Sequence, residues 1–471
     1  MNTRGGTVVL VNPKATYADE IGQKCFPPLG LLHLGASLTA AGFDVRVIDA
    51  NALRLTDTDV VRRAALVRPF LVGLPFFAET LIPTARLARA LRAALPEARI
   101  VGGGPHASAM PERLLEELSV LDYVLVGEAE HSLVELSRAL YSGAPPAKLL
   151  PIEGLVTRGS PRPAYRIVHD IETLPVPQRD LVSEAYALRR YYALLVPHRE
   201  IDCILTSRGC PFSCNFCHNP TRRMRYRSIE SCLEELCRLR ERGVRNVEIL
   251  DANFTADEER AMSFLGAVEK ERLGMSLRIK SRADAVTERL LAQARRAGVY
   301  QISIGAESGS DRLLGAMNKR ETVAQIEKAV ALVMRHGINC HTSWIIGYPG
   351  ETMETLEETC RVVQRMRPTT AGFSILTPYP GTHVYEEARA RGTLVGDWST
   401  EGGPLPWVRL PWTRSYRDLQ AARTRMLRRV YLRPYYAYTY AKLIATTANF
   451  TLARYALQEL GRVLPFRRGP A

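Results

Sequence analysis

The sequence predicts an α/β protein made of two consecutive βα series, and three observations support this class. Short apolar runs of strand length alternate with amphipathic segments of helix length. A proline-rich passage near residues 143–179 interrupts the alternation once. Because 46% of the 471 residues are hydrophobic, the chain can close more than one core. We therefore expect parallel sheets covered by helices and divided between two or three domains.

The first series, residues 7–140, has the pattern of a doubly wound, Rossmann-like domain. Its expected parallel strands are Val8–Val11, Val45–Ile48, Leu71–Leu74, Ile100–Val101 and Tyr123–Val126. The expected helices between them are Leu29–Ala41, Leu81–Leu95 and Pro111–Leu118. In such sheets ligands bind outside the carboxyl ends of the strands, so the loops at those ends are candidate binding loops.

The second series follows the proline-rich passage and predicts a partial (β/α)6 barrel. Its expected strands are Cys203–Thr206, Val247–Leu250, Leu277–Lys280, Gln301–Ile304, His341–Ile346 and Gly372–Leu376. Barrel enzymes place their chemistry at the carboxyl ends of such strands. We expect a first domain at 1–142, a linker with a small β element at 143–198, the barrel at 199–390, and a basic, aromatic-rich helical extension at 391–471.

Charge and cysteine content restrict the setting in which the protein works. No N-terminal signal pattern and no apolar run of spanning length is evident, so we expect a cytoplasmic protein. Nine cysteines, an odd number, indicate reduced thiols with a ligand role.

The net charge of +14 is concentrated in the tail, where thirteen Lys or Arg residues and two acids follow from Arg409 onward. Such a tail is typical either of a solvated helical face or of peripheral membrane contact. Nucleic acid binding is disfavoured because no added RNA-binding module is evident.

A loop with three closely spaced cysteines is the strongest chemical signal in the chain. Cys210, Cys214 and Cys217 follow the first strand of the second series. Three thiolates can hold three corners of a cubane iron–sulfur cluster, whereas electron-transfer clusters normally use four cysteines. One iron would then remain open to a chelating molecule, and Arg208 adds positive charge beside the loop. Two alternatives remain open: a zinc site completed by His218, and three thiols that bind nothing.

The spacing Cys-x-x-x-Cys-x-x-Cys, with an aromatic residue before the last cysteine, resembles the signature of radical S-adenosylmethionine (SAM) enzymes. Loop motifs at later strand ends resemble this family too: 251–254, 281–284, 305–308, 346–352 and 378–382. The resemblance implies a [4Fe-4S] cluster on the three cysteines and SAM on its open iron. It also implies that Phe216 packs on the adenine, that Gly347 lets the backbone approach it, and that three residues contact the amino acid or ribose: Arg282, Glu307 and Ser308.

The first domain resembles the cobalamin-binding domain found in one branch of these enzymes. Matching stretches are 27–32, 47–50, 102–108 and 127–130. The resemblance implies cobalamin contacts from Pro75, Phe76, Gly103, Gly104, Pro105, His106, Ser108, Gly127 and Glu128. Residues 12–17 offer no histidine beneath the cobalt, so we expect the loop 75–77 to cover that face. The alternative is that these glycines form ordinary turns in a domain without a ligand.

Together the resemblances imply a cobalamin-dependent radical SAM methyltransferase. In that chemistry the 5′-deoxyadenosyl radical activates the substrate and methylcobalamin supplies the methyl group. The expected target is an unactivated carbon of a natural-product, tetrapyrrole or lipid-like molecule, and the expected electron donor is an external flavodoxin or ferredoxin. Residues 428–434 resemble the tail of magnesium-protoporphyrin ester cyclases and hopanoid-modifying enzymes, which indicates a large apolar substrate. Oxidative cyclisation or ring rearrangement is the alternative reaction, and a basic scaffold or nucleic-acid binder with zinc on its cysteines is the non-enzymatic one.

Overall fold

The chain forms two compact units in the computed structural model. The first unit comprises residues 1–192 with 397–404, and the second comprises residues 193–396 with 405–471. The residues that the structure describes are 5–14, 24–145, 148–149, 151–160, 162–193, 196–197, 200–402 and 405–447. The segment 397–404 thus belongs to the first unit although it follows the strands of the second.

The first unit is built on a six-stranded sheet in the order β3-β1-β4-β5-β6-β7. All neighbouring strands are parallel except β7, which runs antiparallel to β6. In chain order the strands up to residue 193 are β1 Gly5–Asn12, β2 Lys24–Cys25, β3 Phe43–Asp49, β4 Leu71–Pro75, β5 Arg99–Gly103, β6 Tyr123–Leu125, β7 Leu155–Val156 and β8 Tyr192–Ala193. The predicted doubly wound domain is confirmed, with a sixth strand supplied by the linker.

The helices of the first unit surround this sheet. They are α1 Leu29–Ala40, α2 Ala50–Leu53, α3 Asp57–Val67, α4 Leu81–Ala94, α5 Pro105–Ala109, α6 Pro111–Glu117, α7 Glu130–Tyr141 and α8 Ser183–Ala187. The three predicted helices correspond to α1, α4 and α6. Helix α3 is less evident from the sequence because only Val60 and Ala64 on it are buried.

The sheet of the first unit has a switch point between β1 and β4. Strand β1 pairs with β3 on one side and with β4 on the other, so successive strands are added in opposite directions from it. Ligands of doubly wound folds bind at such a point, outside the carboxyl ends of the strands. The loop after β4, residues 75–77, and the loop after β5, residues 103–106, are the described loops beside that edge.

The second unit contains six parallel strands in sequential order, β9-β12-β13-β14-β15-β16. Its strands are β9 Ile201–Ile204, β10 Ser207–Arg208, β11 Arg225–Tyr226, β12 Asn246–Ile249, β13 Ser276–Ser281, β14 Val299–Glu307, β15 Asn339–Ile346, β16 Thr370–Ile375, β17 Leu394–Val395 and β18 Trp407–Val408. The helices are α9 Ile229–Glu241, α10 Glu258–Glu271, α11 Glu288–Arg296, α12 Asp311–Ala316, α13 Val323–Arg335, α14 Met353–Met366, α15 His383–Ala390, α16 Tyr416–Tyr431 and α17 Pro434–Thr447.

One face of this second sheet packs on the helices that join its strands, and none of these crossover helices, in the described part of the chain, lies on the other face. Sequential parallel strands joined by right-handed crossovers place all their helices on one side. Burial alternates along β13 and β15 accordingly, with buried apolar residues such as Leu277 and Trp344 in the helix-covered core. The intervening, half-buried residues are polar in large part, and we call their side the helix-free face.

Helices α16 and α17 close the edge of this sheet at β16. The Tyr431 hydroxyl accepts a hydrogen bond from the Ala371 amide at 2.8 Å and donates one to the Ala371 carbonyl at 2.7 Å. Tyr436 is buried, and Tyr431, Tyr435 and Tyr440 pack against the core. Most tail aromatics therefore contact protein, which does not support the membrane alternative. None of the helices in the described residues combines the length and apolar character needed to cross a membrane, and residues 448–471 lie outside the described part.

Candidate functional site

A two-stranded ladder holds the base of the cysteine loop. Strands β10 and β11 pair antiparallel, so residues 209–224 form a closed loop directly after β9. Gly209 has a φ of 100°, and a Cβ there would lie 2.3 Å from the Arg223 carbonyl oxygen. Within the loop, the Asn219 side chain donates to the Cys210 carbonyl at 2.6 Å. The glycine before the first cysteine is therefore required by backbone contact.

The far end of the loop is fixed to the turn that follows α12. The Asn318 amide donates to the Ser213 carbonyl at 2.8 Å, and the Asn215 amide donates to the Ala316 carbonyl at 2.8 Å. The backbone NH of Val384, at the start of α15, donates to the Asn215 carbonyl at 3.0 Å. These bonds hold residues 213–215 between two distant parts of the chain, so the positions of the cysteines depend on both.

Asp251, just after β12, accepts hydrogen bonds from the residues that lead into the cysteine loop. It is 1% exposed and accepts from the Thr206 amide at 2.7 Å and from the Ser207 hydroxyl at 2.7 Å. Burial raises the pKa of Asp251, whereas the hydrogen bonds from Thr206 and Ser207 lower it. The sequence motif 251–254 is thus explained in part by support of the cysteine loop.

The three thiols lie close enough to influence one another. Desolvation, together with the charges of Cys214 and Cys210, raises the pKa of Cys217 to about 11. Burial also raises the pKa of Cys214, whereas Lys319 and Arg282 lower it. Cations beside sulfur ligands favour their thiolate form. The donor set therefore fits an anionic iron–sulfur cluster, which spreads its ligands over separate irons.

The zinc alternative does not fit this arrangement. Within the described ranges, no three His, Cys, Asp or Glu side chains converge closely enough to hold a single metal ion. The His218 imidazole lies against Gly381, where an added Cβ would be 3.3 Å from its Cδ2. Burial lowers the pKa of His218.

A buried group of charges lies beside the loop, and its central member was not evident from the sequence. The Lys319 ammonium is 3.6 Å from a Glu307 oxygen and 3.3 Å from a Glu321 oxygen. Both Lys319 and Glu321 are 5% exposed. Burial raises the pKa of Glu307, and the Lys319 charge opposes this. Gly305 leaves room for the carboxylate, because a Cβ there would be 2.4 Å from Glu307 Oε1.

Arg282, a predicted SAM contact, belongs to the same group of charges. Its guanidinium donates to Asp284 at 2.9 Å and to the Lys319 carbonyl at 2.8 Å. It also lies 3.8 Å from the centre of the Phe212 ring, inside the cysteine loop. A cation above an aromatic face in a buried setting contributes about 2 kcal/mol. In this structure Arg282 positions the loop.

The other predicted SAM residues lie around the same edge of the sheet. Ser308 is 2% exposed, and Phe216 is half-buried against the core of the second unit. Gly347 has a φ of 92°, and the place of its missing Cβ is 3.2 Å from Leu419 in α16. That glycine is thus required by its conformation and by α16, and the contact with adenine remains a prediction. Its amide donates to the buried Glu351 at 2.6 Å, and burial raises the pKa of Glu351 to about 8.

In the first unit, the predicted cobalamin residues meet at the carboxyl edge of β4, β5 and β6. Pro75 and Gly103 are direct partners in the ladder. The Phe76 ring is fully buried and packs near Gly102. Phe77, which is 42% exposed, is the aromatic ring of this loop that is open to solvent. The contacts of Phe76 and of the loop 75–77 with cobalamin remain predictions.

Several polar residues of this edge are bonded within the protein. The Ser108 hydroxyl accepts from the Gly127 amide at 2.9 Å, and Glu128 accepts from the Val168 amide at 2.6 Å. A Cβ at Gly127 would lie 2.3 Å from the Arg166 carbonyl oxygen, so this glycine admits the linker backbone. A Cβ at Gly103 would be in ordinary van der Waals contact with the Leu125 carbonyl oxygen, at 3.9 Å.

His106 follows Gly104 and Pro105 at the start of α5, and its ring packs at a tilt against a residue of the segment 397–404. Gly104 has a φ of 92°. The His106 ring lies 5.4 Å from that of Trp398, which is 2% exposed. Burial lowers the pKa of His106 to about 4, and its buried Nδ1 has no hydrogen-bond partner. A buried, neutral imidazole whose Nδ1 has no hydrogen-bond partner leaves one polar atom at this edge for a ligand. Residues 15–17, within the loop expected to lack a histidine, lie outside the described part.

Comparison with known proteins agrees with this geometry. The family model of the Radical SAM superfamily matches residues 204–363, and that of the B12 binding domain matches residues 19–137. An uncharacterised methyltransferase of Pyrococcus horikoshii is 32% identical over 377 residues, which are 78% of this chain and 80% of that protein. The chain is a radical SAM enzyme with a B12-binding domain. Its cofactors are accordingly a [4Fe-4S] cluster, SAM and cobalamin.

Two further relatives bear on this radical SAM enzyme. The anaerobic magnesium-protoporphyrin IX monomethyl ester cyclase of Rubrivivax gelatinosus is 25% identical over 370 residues, which are 77% of this chain and 66% of that protein. The structure of the radical SAM methyltransferase TsrM from Kitasatospora setae superposes with a TM-score of 0.71, covering 88% of each chain at 21% identity. The second similarity shows that the fold is shared.

Proposed function

We propose that this enzyme is a cobalamin-dependent methyltransferase that methylates an unactivated carbon of an organic substrate. The observation that carries the proposal is a three-cysteine loop, held beside Lys319 and Arg282, in a chain that also has a B12-binding domain. The other six cysteines are Cys25, Cys203, Cys232, Cys237, Cys340 and Cys360, in strands and helices apart from that loop.

Within the second unit, Cys210, Cys214 and Cys217 would hold the cluster and leave one iron for SAM. When bound, the cluster and SAM supply one-electron chemistry, and cobalamin supplies a carrier for the methyl group. The part of the protein is to position these groups: Asp251 and Asn318 fix the loop, while Lys319 balances the negative charge of the sulfur ligands. Phe216, Ser308 and Gly347 are proposed to border SAM.

Within the first unit, the carboxyl edge at Gly103 is proposed to receive cobalamin. Pro75, Gly104, Pro105 and His106 surround that edge, and Phe77 is the exposed aromatic ring of the neighbouring loop. Ser108, Gly127 and Glu128 are proposed to shape the edge through their internal hydrogen bonds. Loss of the Trp398 ring should therefore loosen His106 and weaken cobalamin binding.

Product analysis tests the proposal. The protein is purified without oxygen, reconstituted with iron, sulfide and cobalamin, and supplied with a flavodoxin or ferredoxin-type reductant and candidate organic substrates. We expect 5′-deoxyadenosine and S-adenosylhomocysteine in similar amounts, with one methyl group from labelled SAM in the product. Formation of 5′-deoxyadenosine without any methylated product from a substrate that is consumed would contradict methyl transfer.

The similarity to the cyclase favours one second candidate, oxidative cyclisation of a large substrate. Both candidates share the cofactors and the site, so the mass of the product separates them. A gain of one methylene indicates methyl transfer. Loss of hydrogen or gain of oxygen, with no label from the SAM methyl group, indicates cyclisation.

A further inference from the structure

The helix-free face of the second unit carries a row of polar residues that no cofactor role explains. Lys280 in β13 pairs in register with Ser303 in β14, Ser303 with His341 in β15, and His341 with Thr370 in β16. Residues paired in this way on neighbouring parallel strands point to the same face of the sheet. Neighbouring strands are about 4.8 Å apart, so the row from Lys280 to His341 spans roughly 10 Å.

The histidine of this row is held in place by its neighbours. Nδ1 of His341 forms a hydrogen bond with the Thr370 hydroxyl at 2.8 Å. The ring also lies against Gly372, where an added Cβ would be 3.3 Å from its Cε1. Thr370 and Gly372 thus restrict the rotation of the imidazole ring and its position over the sheet.

Lys280 has no counter-charge in the described part of the chain. Two acids on the neighbouring strands are paired with other cations, since Glu248 lies 3.2 Å from Arg278 and Glu307 lies 3.6 Å from Lys319. Lys280 itself is half-buried and forms no ion pair with a described residue. A partly desolvated ammonium without a partner is costly unless a ligand supplies the opposite charge.

We propose that Lys280, Ser303 and His341 bind an oxyanion, a carboxylate or a phosphate, of the organic substrate. This inference rests on the proposed function, because it assigns the substrate to the unit that holds the cysteine loop. One ammonium, one hydroxyl and one imidazole together supply the donors that such a group requires.

The position of the row also sets a length for the substrate. Ser303 precedes Glu307 by four residues of β14, which is about 13 Å along a strand. Glu307 lies at the edge where Lys319 meets the cysteine loop. A substrate anchored at the row would therefore place its reacting carbon roughly 13 Å or less from its anionic group.

Labelling with an anionic aldehyde tests the site without turnover. The chain has only eight lysines, so modified peptides are readily assigned. The reconstituted enzyme is treated with pyridoxal 5′-phosphate or with pyridoxal, reduced with borohydride under anaerobic conditions, and mapped by mass spectrometry. Lys328, exposed on α13, is the matched control within the same protein.

We expect the phosphate-bearing aldehyde to modify Lys280 about 10-fold faster than pyridoxal or more, because an anion site concentrates it. Lys328 should show no such preference. Inorganic phosphate should protect Lys280, and acetate in place of phosphate shows whether a carboxylate suffices. Ser303→Ala and His341→Gln should each reduce the preference, with the iron content unchanged.

Equal labelling of Lys280 by both aldehydes would overturn the proposal. Protection of Lys280 by SAM alone would also overturn it, since the row would then belong to the SAM site. Neither result depends on methyl transfer, so failure of the anion site is distinguishable from failure of the proposed reaction, which product analysis reports.

Discussion

Replacing Lys319 by methionine should destabilise the second unit and leave uncompensated negative charge beside the cysteine loop. The Lys319 ammonium lies 3.3 Å from Glu321 and 3.6 Å from Glu307, and all three side chains are largely buried. At an effective dielectric constant of about 20, each such pair interacts by about 5 kcal/mol. Desolvation offsets much of this, so breaking the pairs should cost about 3–5 kcal/mol.

The assay is unfolding in urea monitored by tryptophan fluorescence. Three of the four tryptophans, Trp344, Trp407 and Trp412, lie in the second unit, so a Trp398→Phe background confines the signal to it. In this background Lys319→Met should lower the free energy of unfolding by about 3–5 kcal/mol. Lys328→Met, on an exposed helix face, should change it by less than about 0.5 kcal/mol.

Two measurements distinguish lost charge pairing from lost packing as the cause of the destabilisation. Burial already raises the pKa of Glu307, and loss of Lys319 should raise it further, so the defect should grow as pH rises and that carboxyl group ionises. Adding Glu307→Gln should restore part of the stability, because Glu307 loses its ion pair with Lys319, whereas Glu321 still lies 3.7 Å from Arg282. A loss below about 1 kcal/mol in Lys319→Met, or no recovery in the double variant, would refute the reasoning.

Three further predictions follow from the same structure. Gly209→Ala should abolish iron incorporation, because the added Cβ would lie 2.3 Å from a carbonyl oxygen. Gly243→Ala, where an added Cβ meets nothing within 4 Å, should lower stability but keep the iron, so iron analysis of both variants tests the prediction. Burial raises the pKa of Glu351 to about 8, so the free energy of unfolding should fall by about 1.4 kcal/mol per pH unit as pH rises from 5.5 to 8. Glu351→Gln should remove that slope, and an unchanged slope in this variant would contradict the prediction. Tyr431→Phe should lower the free energy of unfolding in urea by about 1–3 kcal/mol, because it leaves the Ala371 amide and carbonyl of edge strand β16 unpaired. Tyr438 is 69% exposed, so Tyr438→Phe should leave that free energy unchanged, and equal effects of the two substitutions would show that the edge contact is unimportant.

The alternation of apolar runs was sufficient to predict both sheets. Each of the six predicted strands of the second unit overlaps an observed one, such as His341–Ile346 within Asn339–Ile346. This succeeds because strands buried among helices read as continuous apolar segments, whatever lies elsewhere in the chain. The cysteine loop is equally local, since its three ligands fall within eight residues.

The supports of the site were beyond a local analysis. Lys319 is twelve residues from Glu307 and more than one hundred from the loop that it faces, and an isolated lysine in a turn carries no periodic signal. The complete burial of Phe76 depends on packing near Gly102, which the local sequence does not show. The tail tyrosines resemble an interfacial belt in sequence, and only the fold shows that Tyr431 bonds to an edge strand.

The central claim is that Cys210, Cys214 and Cys217 together hold a cluster that cleaves SAM. Iron content and 5′-deoxyadenosine formation should be measured on anaerobically reconstituted protein and on each single cysteine-to-alanine variant, with Cys237→Ala in α9 as the control. We expect about four irons per chain and SAM cleavage in the wild type and the control, and loss of both in each of the three variants. A loop-cysteine variant that keeps its iron and still forms 5′-deoxyadenosine would contradict the account.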